Sequence, residues 1–460
     1  MEIVVLNGSP KGELGVTLQY LRFAERKFPG HRFRYLHPAQ GIHRLERDEG
    51  AFAAVMDAVG KADGVVWAFP LYYMLVCSQY KRFIELVFER GGRGAFAGKY
   101  AAAVSTSVHF FDHTAHAYIH GICDDLGMAY VGGYSAAMYD LARRRERERW
   151  LTFFDSFLDA ARRRAPTARV HPPLPEGAPF TYRPSPPAET LNTGGMRVLV
   201  VKDGRPPGGN VDAMVAGLVS YLGGGAEVFD LAQIDIKGGC LGCCRCGLDN
   251  TCQYLGRDGY IDFYEHKVKK ADALVLAGAV HDRYLSARWK AFFDRSFYNT
   301  HVPTLTGKRL AYLVSGPLGH LPNLREILSA YAEFEEVNPV GFVTDEAQDG
   351  EVIDALLGET ARRLVDPRTA AYRPPMTFLG VGGHKIFRDE IYGDLRFVFQ
   401  ADHRYYVKNR LYDFPQGRYR TRMRNLVMMT LLRIPAFRRR FLKEIKKKMV
   451  EPLQRIAETK

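Results

Sequence analysis

Short apolar runs alternate with amphipathic stretches along most of this chain. The first such runs are residues 3–6, 33–36, 64–69 and 100–105, and the second is the weakest because Arg34 interrupts it. Runs this short and this apolar, separated by helical patterns, predict buried strands joined by crossover helices. The implied architecture is α/β, a parallel sheet with helices on both faces. The pattern then recurs. Ala62-Asp63-Gly64-Val65-Val66 returns as Ala271-Asp272-Ala273-Leu274-Val275, Tyr80-Lys81-Arg82-Phe83 as Trp289-Lys290-Ala291-Phe292, and Gly98-Lys99 as Gly307-Lys308. All three pairs share an offset of 209, whereas Asn7 and Lys202, at the ends of the two first strands, differ by 195. The spacing predicts one duplicated domain whose second copy carries 14 extra residues between its first and third strands.

A chain of 460 residues accommodates two to three domains. The expected boundaries are a first copy over 1–163, a linker over 164–195, a second copy over 196–371 and an extension over 372–460. The linker is marked by eight prolines, which fix φ and remove backbone donors, so it reads as extended chain crossing a surface. The net charge of +13 sits in the extension. Residues 372–460 hold 21 Lys+Arg and 8 Asp+Glu, leaving 43 of each sign elsewhere. No apolar run reaches the roughly 18 residues of a membrane span. Met1-Glu2-Ile3-Val4-Val5-Leu6 reads as a strand and not as a secretory leader, so a cytoplasmic location is expected.

Two loops of the first copy carry candidate chemistry. Asn7-Gly8-Ser9-Pro10-Lys11-Gly12, followed by Gly15-Val16-Thr17, places backbone N–H groups and the Ser9 and Thr17 hydroxyls at a helix start, which suits a phosphate monoester. It lacks both the Gly-Lys-Ser/Thr ending of a Walker loop and the G-x-G-x-x-G of a dinucleotide fold. Ordinary capping is the alternative. After the third strand, Phe69-Pro70-Leu71-Tyr72-Tyr73-Met74 lies where open α/β sheets bind ligands, and Tyr72 and Tyr73 suit a planar ring or a packed surface equally. Ser105-Thr106-Ser107, leading into Val108-His109-Phe110-Phe111, follows the fourth strand and closes over such a ring or simply ends it.

Asn7-Gly8-Ser9-Pro10-Lys11-Gly12 with Thr17, joined to Phe69-Pro70-Leu71-Tyr72 and Gln79-Tyr80-Lys81-Arg82-Phe83-Ile84, resembles the NAD(P)H-dependent FMN reductase family, including its iron–sulfur flavoproteins. The resemblance covers residues 1–160 and again 196–363. It implies two flavodoxin-like domains in tandem, FMN phosphate at Ser9, Pro10, Lys11, Val16 and Thr17, and an isoalloxazine bordered by Pro70, Leu71, Tyr72, Tyr73, Ser105, Thr106 and Ser107. It also implies NAD(P)H as co-substrate. Gly15-Val16 stands where the family often has Ser-Asn, which removes a hydroxyl and keeps the backbone donors.

Five of seven cysteines fall between Cys240 and Cys252. Cys240, Cys243, Cys246 and Cys252 form C-x2-C-x2-C-x5-C, with Cys244 spare. Two-residue gaps let one tight loop aim three thiolates at a cuboidal cluster. Zinc, which usually takes two separated C-x2-C arms, and a redox dithiol are the competitors. The motif resembles that of the iron–sulfur flavoproteins, which implies [4Fe–4S]. In the second copy, Lys202-Asp203-Gly204-Arg205-Pro206-Pro207-Gly208-Gly209-Asn210 and Ala279-Val280-His281-Asp282 replace the flavin loops, and Asp203 would repel a phosphate. One FMN in the first copy and one cluster in the second are therefore expected. The pair would form an intramolecular pseudo-dimer with the cluster facing the flavin.

In the extension, Ile434, Phe437, Phe441, Ile445 and Met449 recur at helical spacing among Arg438, Arg439, Arg440, Lys443, Lys446, Lys447 and Lys448. The expectation is a largely helical region whose apolar stripe packs on the body, with docking on an anionic membrane as the alternative. Nucleic acid is disfavoured because no binding module accompanies the charge. His384, His403, Tyr405 and Tyr406 read as structural residues. Together these features describe an FMN- and iron–sulfur-dependent oxidoreductase taking electrons from a nicotinamide or a protein donor, alone or as a homo-oligomer. An electron carrier without a nicotinamide site and a non-enzymatic redox sensor or membrane adaptor are the rivals.

Overall fold

The structure is a computed structural model that describes residues 1–175, 180–204 and 207–457, without the side chains of 446–450 and 452–457. Arg205 and Pro206 of the second-copy turn fall outside the described residues. So do the side chains of Lys446, Lys447, Lys448 and Met449. The chain divides into a compact unit over Met1–Arg404 and a second over Tyr405–Lys460.

The first unit contains two sheets of the same design. Strands β1 (Glu2–Asn7), β2 (Arg32–Leu36), β3 (Gly64–Tyr72), β4 (Leu75–Val76), β5 (Tyr100–Ser107) and β6 (Ala129–Ala137) form one sheet in the order β2-β1-β3-β5-β6, with β4 antiparallel to β3 and all other pairs parallel. Strands β7 (Val198–Lys202), β8 (Ala226–Asp230), β9 (Ala273–Ala279), β10 (Arg309–Ser315) and β11 (Asn338–Thr344) repeat that order as β8-β7-β9-β10-β11. This is the flavodoxin-like doubly wound arrangement. Arg34 fits because β2 is an edge strand with one face open to water.

The strand registers match the sequence offsets. Ile3 pairs with Gly64 and Val198 with Ala273, then Gly64 with Tyr100 and Ala273 with Arg309. The 195 and 209 offsets are thus structural equivalences, and the surplus residues, with the cysteine loop, lie between β8 and β9. Each sheet has its own core. Val5, Val66 and Val104 pack with Leu18, Trp150 and Phe154 in the first, and Val200, Val275 and Leu313 with Met214 and Leu357 in the second. The proline-rich segment contributes Tyr182 to the second core, where its hydroxyl bonds Asp354.

The copies meet through the helices Ser78–Glu89 and Ala287–Ser296, and the contacts are reciprocal. Glu85 Oε1 accepts from Ala287 N at 2.6 Å, and its equivalent Asp294 accepts through Oδ2 from Ser78 N at 2.7 Å. Lys81 Nζ bridges Glu85 at 2.8 Å and Asp282 at 2.9 Å. Lys290 Nζ, its equivalent, reaches the Tyr72 carbonyl at 2.8 Å and contacts Asp294. This is the self-complementary pattern of a two-fold dimer, written within one chain. The Lys81 and Lys290 side chains are fully buried.

The helix Phe378–Tyr392 belongs to the same unit and lays Phe387 against Phe334 with ring centroids 5.8 Å apart; His384 stacks on Phe334 at 5.1 Å. In the second unit the helices Tyr419–Leu431 and Pro435–Ala457 are formed as the spacing predicts. From Val407 to Ile445 no described side chain is buried. Among the described residues no helix is long and apolar enough to cross a membrane.

Candidate active site

β1 delivers Asn7 to the first turn, where the side chain shapes the loop. Its Oδ1 accepts from Ser9 N at 3.0 Å and its Nδ2 donates to the Gly12 carbonyl at 2.9 Å. Gly12 adopts φ +58°, a left-handed position suited to glycine. Gly15 is needed for space, because a Cβ there would lie 2.9 Å from Ser9 Cβ. Gly15 also caps the helix Val16–Lys27, and no side chain satisfies its first N–H groups. These donors face a turn holding the Ser9 hydroxyl, an arrangement that binds an anionic group. The Thr17 hydroxyl has a partner within the protein. It bonds Thr106 Oγ1 at 2.7 Å, tying the first loop to the third.

β3 runs through Pro70 and Leu71 and turns back into β4. Tyr72 pairs with Leu75, so Tyr73 and Met74 form a two-residue hairpin with φ +42° and +66°. That turn favours Asn-Gly, and Tyr-Met holds it under strain. Thr114 Oγ1 restrains it by donating to the Met74 carbonyl at 2.6 Å, and Tyr73 Oη donates to Glu335 Oε1 at 3.3 Å. The Tyr73 ring lies against Tyr331, so it braces the second copy, while Tyr72 stays at the site. Burial pushes the Tyr72 phenol well above its ordinary pKa, which keeps it neutral. Ser105 bonds His116 Nε2 at 2.8 Å, and Ser107 Oγ accepts from His109 N at 2.9 Å.

These loops border one cavity of about 290 Å³, near the lower end of small-molecule pockets, which span roughly 300–1,000 Å³. Ser9, Lys11, Val16, Pro70, Leu71, Tyr72, Tyr73, Thr106 and Ser107 line it. Pro10, Thr17 and Ser105 do not line it; Thr17 and Ser105 brace it from behind. The opposite wall comes from the second copy, through Cys240, Gly242, Cys244, Asp294, Phe297 and His301. Phe387, Leu395 and Phe399, from the region read as an unrelated extension, complete it. Phe387 stacks on His301 at 3.9 Å and meets Phe110 at 4.8 Å. Asp402 fixes His301 by accepting from its backbone N at 2.9 Å. No spacing in the sequence marks these wall residues, because their partners are distant in the chain.

Cys240, Cys243, Cys244, Cys246 and Cys252 line a second, adjoining cavity with Tyr254, Arg295 and Phe297. Gln79 of the first copy donates to the Cys240 carbonyl at 3.1 Å, and Arg295 donates to the Gly238 carbonyl at 2.9 Å while holding Asp258 bidentately. Asn250 ties the end of the loop to the Tyr298 carbonyl at 3.2 Å. Gly242 and Cys244 take left-handed φ values of +60° and +56°, which wrap the loop on itself. Burial pushes the Cys240 thiol up to about 12, and Cys246 and Cys244 are also raised by burial. A reactive dithiol needs the opposite shift.

The corresponding turn of the second copy is filled from within. Asp212, in the first turn of the helix Asn210–Tyr221, takes the Lys202 ammonium at 2.5 Å and the Gly208 N–H at 2.7 Å. Asp203 is buried and bonds Ser286 at 2.5 Å. A protein carboxylate thus occupies the place where the first copy offers free donors.

Residues 1–140 and 196–349 each match the family model described as NADPH-dependent FMN reductase. No curated protein matches the chain. Among solved structures, an NADH:FMN oxidoreductase in its apo form aligns at 20% identity over 34% of this chain and 87% of its own, with a TM-score of 0.30. The flavoenzyme NAD(P)H:(acceptor) oxidoreductase FerB from Paracoccus denitrificans aligns at 19% identity over 35% and 97%, with a TM-score of 0.30. An FMN-dependent NADH-azoreductase from Bacillus anthracis in complex with FMN aligns at 12% identity over 36% and 100%, with a TM-score of 0.26. Since the family model covers both halves and well over half of the chain, the protein belongs to the NADPH-dependent FMN reductase family and is an oxidoreductase.

Proposed function

We propose that the protein is an NAD(P)H-dependent flavin oxidoreductase that holds FMN in the cavity between the two copies and a [4Fe–4S] cluster on Cys240, Cys243, Cys246 and Cys252. The observation that carries this reading is the shared wall: Cys240, Gly242, Cys244 and Phe297 border both the flavin cavity and the cysteine cavity. The residues of the first cavity fit FMN. Uncapped N–H groups of the helix Val16–Lys27, with Ser9 and Lys11, suit the phosphate, and Pro70, Leu71 and Tyr72 give an apolar border for the ring. Bound there, FMN supplies two-electron exchange with a nicotinamide and one-electron exchange with a cluster. The chain's own part is to exclude water through Phe110, Phe387 and Phe399, and to fix the two anchors on opposite sides of one wall. The division of domains at 163, 195 and 371 follows the same reading.

Anaerobically purified protein should contain one FMN with iron and sulfide in equal amounts per chain, and NADH or NADPH should bleach the flavin in stopped-flow mixing. Colourless protein overturns the proposal. Flavin without iron removes its cluster half, and a flavin that neither nicotinamide bleaches makes the protein a carrier and not a reductase.

A second reading concerns the Tyr405–Lys460 unit, which holds 16 Lys+Arg against 4 Asp+Glu. Met423, Leu426 and Val427 share one face of the helix Tyr419–Leu431 and, with Ile434 just before the next helix, are more than half exposed. We propose that this unit docks on an anionic membrane surface, with that face in the interface and the arginines on headgroups. The full chain should co-sediment with phosphatidylglycerol vesicles, release in salt, and ignore phosphatidylcholine. Failure to bind either vesicle overturns it.

A further inference from the structure

Beside the contact between the helix Asp112–Asp125 and Arg283 of the second copy, His120, Asp124 and His171 bring three ligand atoms within 4.8 Å of one another. His120 and Asp124 stand four residues apart on the helix Asp112–Asp125 and therefore share a face. His171 comes from the proline-rich segment, which the carboxylate itself draws in: Asp124 Oδ2 accepts from Val170 N at 3.2 Å and from His171 N at 2.9 Å. None of the three takes part in the flavin or cysteine cavities.

The distances have a chemical meaning. His120 Nε2 lies 3.7 Å from Asp124 Oδ2, and His171 Nδ1 lies 3.1 Å from the same oxygen. Metal bonds of about 2.1 Å set tetrahedrally place ligand atoms about 3.4 Å apart. The observed pair brackets that value. His120 Nε2 is buried and has no hydrogen-bond partner, although the ring is held firmly by stacking on Tyr130 at a centroid distance of 4.0 Å. A buried nitrogen left unpaired is costly unless something else takes its lone pair. A cation would also replace the proton that otherwise has to lie between His171 Nδ1 and the carboxylate. The neighbouring positive charge is already spoken for, since Arg283 pairs with Asp125 at 2.6 Å and 2.7 Å. Beside the histidines opens a surface cleft of about 530 Å³ that also includes His113, His116 and Ser135, which leaves room for water at a fourth position.

We infer that His120 Nε2, Asp124 Oδ2 and His171 Nδ1 form a binding site for one divalent transition-metal cation of the zinc class. Two neutral imidazoles and one carboxylate leave the site with a single net positive charge once a dication is bound, and imidazole–carboxylate sets suit zinc among such ions. The site clasps the segment following the first copy onto the domain it has just left. Pro172 is held beside it by Arg283 of the second copy, through a 2.7 Å bond to its carbonyl, so the clasp sets where the chain departs toward the second sheet.

Equilibrium dialysis of the full-length, anaerobically prepared protein against ZnCl2 tests the assignment. Wild type should take up one equivalent of zinc that His120→Ala and His171→Gln both lose. His116→Ala, on the same helix but outside the ligand set, should retain it. X-ray absorption at the zinc edge should report nitrogen and oxygen neighbours without sulfur, which separates this site from the cysteine loop. Circular dichroism identical to wild type shows that each variant is folded. Zinc uptake unchanged in both histidine variants, zinc surrounded by sulfur alone, or no uptake at all overturns the proposal.

Discussion

Replacing Lys81 by alanine lowers the free energy of unfolding by about 3–5 kcal/mol. The Lys81 side chain is 0% exposed and Glu85 only 5%, and Asp282 is equally enclosed. Burial presses the lysine toward neutrality, but Asp282 and Glu85 more than offset it and hold its pKa above the ordinary value. Asp282 answers in the other direction, its pKa raised by burial despite Lys81. Removing the ammonium leaves two carboxylates facing each other in the dry interface, Asp282 with no cation and Glu85 with only Arg82 at 3.0 Å. The penalty is that of uncompensated buried charge and not the modest worth of one ion pair. A surface pair gives the contrast. Arg22 and Glu13 are more than a third exposed, and Arg22→Ala should cost no more than about 1 kcal/mol. Urea unfolding followed by far-ultraviolet circular dichroism measures both. If Lys81→Ala is as mild as Arg22→Ala, the buried network is not what holds the two copies together.

Under the proposed ligand assignment, changing Cys246 to serine should remove the iron while leaving the flavin in place. Cys246 is buried and its Sγ faces the Phe297 carbonyl at 3.5 Å, so no water can substitute for a lost thiolate. It borders the cysteine cavity and not the flavin cavity. Cys240, Cys243 and Cys252 should behave alike in iron content, and of these four Cys240→Ser should also loosen the flavin, as should Cys244→Ser, because Cys240 and Cys244 line both cavities. Cys244→Ser should keep full iron. Anaerobic iron and sulfide assays with flavin fluorescence after denaturation measure all five variants. Rates with one-electron acceptors should collapse in the four iron-free proteins while nicotinamide still bleaches their flavin. Iron lost from Cys244→Ser but kept in Cys252→Ser would reassign the ligands.

Much of this was legible from spacing. Local apolar runs located the strands, and two constant offsets anticipated the matching registers of β1 with β3 and of β7 with β9. The anion-binding turn and the cysteine loop are contiguous in sequence, so their chemistry could be read without a fold. What could not be read depends on contacts between distant residues. Lys81 and Lys290 were recognised as equivalents, but nothing in the chain says that each reaches into the other copy. Tyr73 lines the cavity, and nothing in the sequence says that it also reaches Glu335 and Tyr331 of the second copy. Phe387 and Phe399 belong to no repeat, and only tertiary packing on His301 carries them to the cavity. Asp212 was the missed clue closest to hand: an acid in the first turn of the helix, just where a phosphate would sit, signals a turn that supplies its own anion.

The reciprocal pairing of Glu85 with Ala287 and of Asp294 with Ser78 has a consequence for how this protein could diverge. In an association of two identical subunits, every substitution is made twice, and an aspartate that plugs one phosphate turn plugs both. Joining the halves into one polypeptide lifts that constraint. One half can surrender its ligand and grow a metal-binding insertion while the other keeps the ancestral pocket intact, and the shared seam of helices preserves the alignment that both tasks require.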